Sequence, residues 1–300
     1  HDDTREDHEP FALDALQAWS LQNELIQVRH DAWSRGEDDT VAMQRQLARM
    51  TRRGDLPLGN GVHLAQASLV ELLDPMFELY RQARERCPTA LDDAVFAYEL
   101  DVEGQRIGVQ GLITQRFASH EHAISWPSQP WQRIELSSSL LIQDRRYRHD
   151  QLLSAWLMHL AAHVSGSCIT TVVVGKNGTA TLRPLDPDQA RLHFDDLIAH
   201  YLRGLRYPLP LAAKTGFTWL HHQGTRFTGS VATCPLAAVS AAKKRYEPGY
   251  KVEGEAKQSP YLARTYPSFT ALWAEGEFTA LCDTLYAPLR ACVASPSESA

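Results

Sequence analysis

Apolar residues recur at helical spacing near the start of the chain. Leu13, Leu16, Trp19 and Leu21, then Leu25, Val28 and Trp33, approximate a period of about 3.6 residues, which predicts helix over 11–53. Gly54 and Pro57 end that block. A Gly59-Asn60-Gly61 turn leads into a second helical stretch to about Cys87, with Pro75 starting or kinking a helix. At Ala94 the pattern changes. Val95 to Val102 alternates as a strand, Glu103-Gly104 is a turn, and Arg106 to Phe117 is a second strand. Ala123–Trp126 and Arg133–Leu136 are further strands. A helix is expected over Asp150–Val164, with Leu152, Leu153, Trp156, Leu157 and Leu160 on one side. Cys168–Val174 reads as a buried strand, and Asn177-Gly178 as a two-residue hairpin turn before Thr179–Leu182. Beyond Pro184 the pattern is helical again, over Asp186–Leu205, Ala212–Leu220, Pro235–Tyr246 and Tyr261–Leu289. The implied division is an acidic leader (1–10), a helical part (11–93), a mixed-sheet core (94–184), a second helical part (185–294) and a tail (295–300).

Composition narrows the class. With 300 residues, 44% hydrophobic and 22% charged, the chain can bury a full core, which excludes disorder, collagen-like repetition and a disulfide scaffold. The net charge is −6, but residues 1–10 hold five acids and one arginine, leaving only −2 on the rest. A global electrostatic grip on nucleic acid is absent, while a local one stays open. The five cysteines are odd in number, widely spaced and without CxxC, as expected of free thiols in a reducing compartment, here the cytoplasm. No secretory leader is visible, and a start at His1 suggests a piece of a longer chain. The run from Gln151 to Gly175 lacks acidic and basic side chains apart from histidine, but His159, His163 and Ser165-Gly166-Ser167 make it a buried helix and strand, not a membrane span.

The order helix, strand, strand, strand, helix, strand between Val62 and Val174 is that of the restriction-endonuclease-like (PD-(D/E)xK-type) core. That core cuts phosphodiesters with an Asp ending its second strand and an Asp/Glu-x-Lys on its third. The carboxylates hold a divalent metal and the lysine orients water. Here the second strand reads Gly111-Leu112-Ile113-Thr114-Gln115-Arg116, so Thr114 stands where the acid belongs. The third reads Ile134-Glu135-Leu136-Ser137, where Glu135 survives and Ser137 replaces the lysine. Gln151-Leu152 opens the next helix as it does in nucleases of DNA-break processing. The pattern therefore predicts an α/β core lacking its active site. An ordinary mixed α/β domain with no nuclease ancestry fits the local pattern as well.

The chain as a whole resembles the C-terminal portion of the RecC family, the gamma subunits of exodeoxyribonuclease V (the RecBCD helicase–nuclease). The likeness runs from Glu9-Pro10-Phe11-Ala12-Leu13-Asp14-Ala15-Leu16 through Gly54-Asp55-Leu56-Pro57 to Pro208-Leu209-Pro210-Leu211 and Trp219-Leu220. It is clearest at Ala241–Tyr246, Gly254-Glu255, Pro260–Arg264 and Leu285–Leu289. The resemblance implies a nuclease-like fold without a catalytic site, no cofactor of its own, and RecB-type and RecD-type motor or nuclease subunits as partners. It also implies contact with single strands and the duplex fork during recombinational repair. The helicase-like part that precedes this region in such subunits is not in the sequence. Two alternatives are an active nuclease that pairs Glu135 with Asp101 or Glu99, and a pure protein-interaction domain.

Two basic clusters could meet phosphates: Arg145, Arg146 and Arg148 around Tyr147, and Lys243, Lys244 and Arg245 before Tyr246. Helix-end charge is the alternative for both, with cations complementing the dipole at the C-terminus in the second. Other motifs carry less. His159 and His163 share a helical face, but Leu160 stands where a zinc peptidase needs Glu. His120-Glu121-His122 has no third ligand nearby in sequence, and Gly175-Lys176 is turn chemistry, not a P-loop. Seven tryptophans, among them Trp19, Trp33, Trp219 and Trp273 in the helical parts, suggest an exposed docking patch.

Overall fold

A computed structural model describes residues 13–57, 59, 61–119, 131–223, 235–247, 249, 253–273 and 276–294. The strand expected at Ala123–Trp126, the His120-Glu121-His122 motif and Cys234 lie outside them. The chain is mixed α/β, and it divides into two units.

The first unit takes the described residues of 1–85 with 136–142 and 174–179. Its helices are α1 (Ala15–Ser34), α2 (Asp39–Arg53), α3 (Gly61–Val70) and α4 (Leu73–Arg86). Asp14 caps α1 by accepting from the Leu16 and Gln17 backbone while the Gln17 side chain accepts from the Asp14 backbone, which satisfies donors that a helix start leaves orphaned. Gly54, at φ +78°, ends α2 in the left-handed conformation that costs glycine least. Leu25, Met50, Leu73, Met76 and Phe77 are fully buried. Among them sits Arg29, paired with Asp39 at 2.6 Å and lying 4.4 Å from the Phe77 ring centroid. Asn177 ties two segments of this unit together: its Oδ1 accepts from Leu141 N at 2.8 Å and its Nδ2 donates to Ile142 O at 2.6 Å.

The second unit takes 86–135, 143–173 and the described residues from 180 onward. Five strands form one sheet in the order β1 (Thr89–Leu91), β4 (Arg116–Ala118), β5 (Gln132–Leu136), β8 (Thr170–Gly175), β9 (Gly178–Leu182). β1 and β5 both run antiparallel to β4. Beyond the end of β5, Ser137 N donates to Val174 O and Lys176 N to Ser139 O. Both chains advance together between those bonds, so this pairing is parallel and the sheet is mixed.

β2 (Ala94–Val102) and β3 (Gln105–Ile113) depart from the expected central sheet. They pair with each other as a separate hairpin over Glu103-Gly104, both at positive φ. The hairpin continues the register of β1 and β4, and a break at Asp92-Asp93 and Thr114-Gln115 interrupts the ladder. Gln115 takes φ +60° there, which ends the single strand expected over Arg106–Phe117. The Phe96 ring covers Gly111, its cross-strand partner, where any Cβ would lie 2.6 Å from the ring. Two more strands, β6 (Ile142–Gln143) and β7 (Arg146–Tyr147), form a short hairpin whose two turn residues, Asp144 and Arg145, are also left-handed.

After a 3₁₀ turn at His149–Leu152, α5 (Leu153–Val164) packs against α6 (Pro187–Arg206). Tyr98 donates to Asp195 at 2.8 Å and holds the hairpin to α6. The charge-poor run from 151 is thus a buried helix and strand, and no helix among the described residues is long and apolar enough to cross a membrane. The turn expected at Asn177-Gly178 falls one residue earlier, at Lys176-Asn177. Next come α7 (Ala213–His222) and α8 (Pro235–Tyr246). A short α9 (Glu255–Gln258) precedes the helix expected over Tyr261–Leu289, which is broken into short pieces: α10 (Pro260–Thr265), α11 (Phe269–Trp273), α12 (Glu277–Leu281) and, after one π-helical turn at Cys282–Tyr286, α13 (Ala287–Cys292). Pro267 and left-handed Gly276 account for two of the breaks. The chain then returns to β9: Val293 bridges Leu182, and Ala294 N donates to Thr181 O at 2.9 Å.

Candidate functional site

The break in the long hairpin places Thr114 and Gln115 beside β5, where Ile134 N donates to Gln115 O at 3.1 Å. Alternation along β5 puts Arg133 and Glu135 on one face. Their side chains, 6% and 17% exposed, form an ion pair, and a second nitrogen of Arg133 donates to Gln115 Oε1 at 3.2 Å. Arg116 stands directly across from Arg133. Two buried like charges at facing positions repel, and each is compensated separately. Arg116 donates to Asp92 O at 2.6 Å and lies 4.6 Å from the Trp131 ring centroid. Burial still pushes its guanidinium below the ordinary value, against the pull of Asp93 and Asp92.

The carboxylate that survives at this place, Glu135, is therefore already engaged by a cation. Ser137 is half-buried, and its hydroxyl accepts from Ser139 N at 3.3 Å. The acids of the displaced-ligand alternative are occupied elsewhere: Glu99 pairs with Arg106, and Asp101 Oδ1 accepts from Gly104 N at 2.9 Å. Among the described residues no group of three or more His, Cys, Asp or Glu side chains could hold a metal ion. His159 and His163 are core residues with both ring nitrogens of each engaged. His159 meets Thr171 Oγ1 at 2.9 Å and Arg183 O at 3.1 Å; His163 meets His159 O at 2.8 Å and accepts from Leu185 N at 3.1 Å. No disulfide joins any two of the four described cysteines.

The basic clusters converge elsewhere in the second unit. A cavity of about 250 Å³ is lined by Arg146, Arg148 and Arg245, together with Lys214, Arg290 and three histidines. Arg148 keeps Asp150 at 3.3 Å, and Lys214 Nζ donates to the neutral Gln258 at 2.6 Å. Arg290 donates to Leu220 O at 2.8 Å, and burial holds its guanidinium below the ordinary value. His149 stacks on Phe217 at 5.3 Å, and Phe217 stacks on Tyr286 at 4.9 Å. Burial, then the charge of Arg290, pulls His149 down to about 4. His221 is likewise pulled down to about 4, by burial and then by Arg146 and Arg290.

Sequence clustering therefore finds half of this cavity. Lys214, His221 and Arg290 are isolated in sequence and arrive on α7 and α13. Arg145 is exposed at the turn beside the cavity but does not line it. Lys243 and Lys244 are exposed, and Lys243 lies 3.8 Å from Glu247. Trp19 is 50% exposed, whereas Trp219 is buried and contacts Trp273, itself packed on Phe269 and Phe278.

None of the curated proteins matches the chain. The family model described as the RecC C-terminal domain matches residues 1–224, which takes in the Arg133–Glu135 pair and stops short of Arg245 and Arg290. With about three quarters of its 300 residues matched, the chain belongs to the RecC C-terminal domain family.

Proposed function

We propose that the chain is a non-catalytic scaffold and DNA-path domain of a RecC-type gamma subunit. It would act in the bacterial cytoplasm within an ATP-dependent helicase–nuclease that processes double-strand DNA ends for recombinational repair. Family membership supports a place in a RecBCD-type complex, with RecB-type and RecD-type subunits as partners. The finer proposal is that its mixed-sheet core is restriction-endonuclease-like and has lost its metal ligands, so that no cofactor is used.

One observation carries the loss of catalysis. Glu135, the surviving carboxylate, is paired with the buried Arg133 guanidinium. A catalytic Mg²⁺ needs several hard oxygen ligands that are free to bind it. Here the place of the second acid is Thr114, that of the lysine is Ser137, and the remaining carboxylate is neutralised by a neighbour that burial keeps in place. The residues present do not fit the metal, and the chemistry left to this core is shape and charge.

The test is incubation of the chain with linear duplex and single-stranded DNA in Mg²⁺ or Mn²⁺. The expected result is no metal-dependent cleavage. Cleavage that disappears in Glu135→Ala would overturn the proposal. Mixing the chain with RecB-type and RecD-type subunits and separating by size tests the scaffold role, for which co-elution is expected.

A further inference from the structure

We infer that the cavity bounded by the β6–β7 turn, α7, α8 and α13 binds a phosphate of a single nucleic-acid strand. This rests on the DNA-path role proposed above and gives it a location. The first argument is charge. Five cations line the cavity against two carboxylates, Asp144 and Asp150, which leaves three positive charges when the histidines are neutral. Arg146, Arg245 and Arg290 have no carboxylate partner among the described residues. Arg290 is the most telling. It is half-buried, among the described residues it donates only to a backbone carbonyl, and a charge taken from water without a counter-charge is costly. A phosphate oxygen would supply that counter-charge with charge-assisted bonds.

The second argument is size and shape. About 250 Å³ is below the usual range for drug-sized ligands and suits a phosphate with part of its sugar. The third is the rim. Asp144 and Arg145 close a two-residue turn with both residues left-handed, φ +50° and +60°. Asp-Gly or Asn-Gly is the favoured pair in such a turn. An arginine there is strained, and it places an exposed cation beside the cavity, where the next phosphate of a strand would lie. Neutral His149 and His221 offer ring nitrogens that gain a proton more readily once an anion offsets Arg290.

The experiment uses the full chain and a labelled oligothymidylate at low salt, read by fluorescence anisotropy, with inorganic pyrophosphate as competitor. Arg146→Gln and Arg290→Gln are each expected to weaken binding about tenfold, the scale of a lost hydrogen bond to a charged group. They should also flatten the salt dependence by roughly one phosphate contact. Arg191→Gln, an exposed arginine on α6, is the control and should bind as the unmodified chain does. Imidazole resonances of His149 and His221 should move to a higher pKa when oligonucleotide is added. Arg146 is exposed, so its variant tests the site even if Arg290→Gln does not fold. Unchanged affinity in Arg146→Gln with unmoved histidines overturns the cavity site while leaving the DNA-path role intact. Shifts with pyrophosphate but no binding of oligonucleotide would make this a site for free phosphates and overturn the strand. DNA cleavage by the chain would overturn the non-catalytic role without touching this site.

Discussion

Replacing Arg133 by Met keeps the length of the buried stem and removes the guanidinium. Glu135, only 17% exposed, then loses its cation, and Gln115 loses a donor at 3.2 Å. Breaking a buried ion pair from one side costs about 3–5 kcal/mol. Glu135 keeps some contact with solvent, so the lower end applies, about 3 kcal/mol. The double substitution Arg133→Met with Glu135→Leu leaves no charge behind. It should cost less than about 1 kcal/mol, because apolar replacement of a buried pair is often neutral. The coupling, the two single costs added and that of the double subtracted, is then at least about 2 kcal/mol and larger by whatever Glu135→Leu alone costs in leaving Arg133 unpaired, well above the error of a double-mutant cycle. Urea unfolding followed by tryptophan fluorescence measures all four chains, with and without Mn²⁺. If Arg133→Met matched the unmodified chain, the pair would not be structural. If Mn²⁺ stabilised the unmodified chain and not the Glu135→Leu variant, the carboxylate would be open to metal and the reasoning refuted.

Three further outcomes follow from the packing. His159 is fully buried and held at about 3 by burial, with His163 adding to the effect, against 6.5 for an exposed imidazole. The unfolded chain therefore takes the proton first. Its stability is flat above about pH 6.5 and falls below it, by on the order of 2 kcal/mol at pH 5; urea midpoints across pH check this, and a flat profile refutes it. Gly216→Ala puts a Cβ 2.8 Å from both Cys282 Sγ and Tyr286 Cδ2 and should destabilise by about 2 kcal/mol, despite alanine's better helix propensity. Thermal melting decides, and a raised midpoint counts against the packing. Arg145→Gly relieves a left-handed arginine and should stabilise by about 1 kcal/mol in the same assay, where a loss would show that Arg145 makes contacts that outweigh its strain.

Much of the fold is legible from periodicity because its long elements are amphipathic and well punctuated. Pro235 and Tyr246 bound α8 as expected, and Asp186 caps α6 one residue before its start. What escapes is set by tertiary contacts. Thr89–Leu91 is too short to show alternation and is a strand only because β4 lies beside it. No glycine or proline marks the break at Gln115, which Arg116 bridges through the Asp92 carbonyl. Asn177 shifts its turn because its side chain is engaged with Leu141 and Ile142. At the sites, Thr114, Glu135 and Ser137 are readable as departures from a pattern, but the Arg133 partner of Glu135 is not. Arg290 and His221 join the cavity through helices far apart in sequence, and no local motif announces them.

The shared register of the long hairpin has a consequence for the order of folding. Residue numbers of paired positions add to the same total along β2–β3 and along β1–β4, so one zipper can run through both. Closing a two-residue turn at Glu103-Gly104 involves almost no loop, and hairpins of this kind form in about 1–10 μs. Once β2 and β3 are paired, Thr89 and Ala118 are held near each other before any distant strand has arrived. Three-residue β1 then needs no search for its partner and has little chance of a one-residue slip. The parallel pairing beyond β5, between segments far apart in sequence, has no such shortcut and is the step expected to come late.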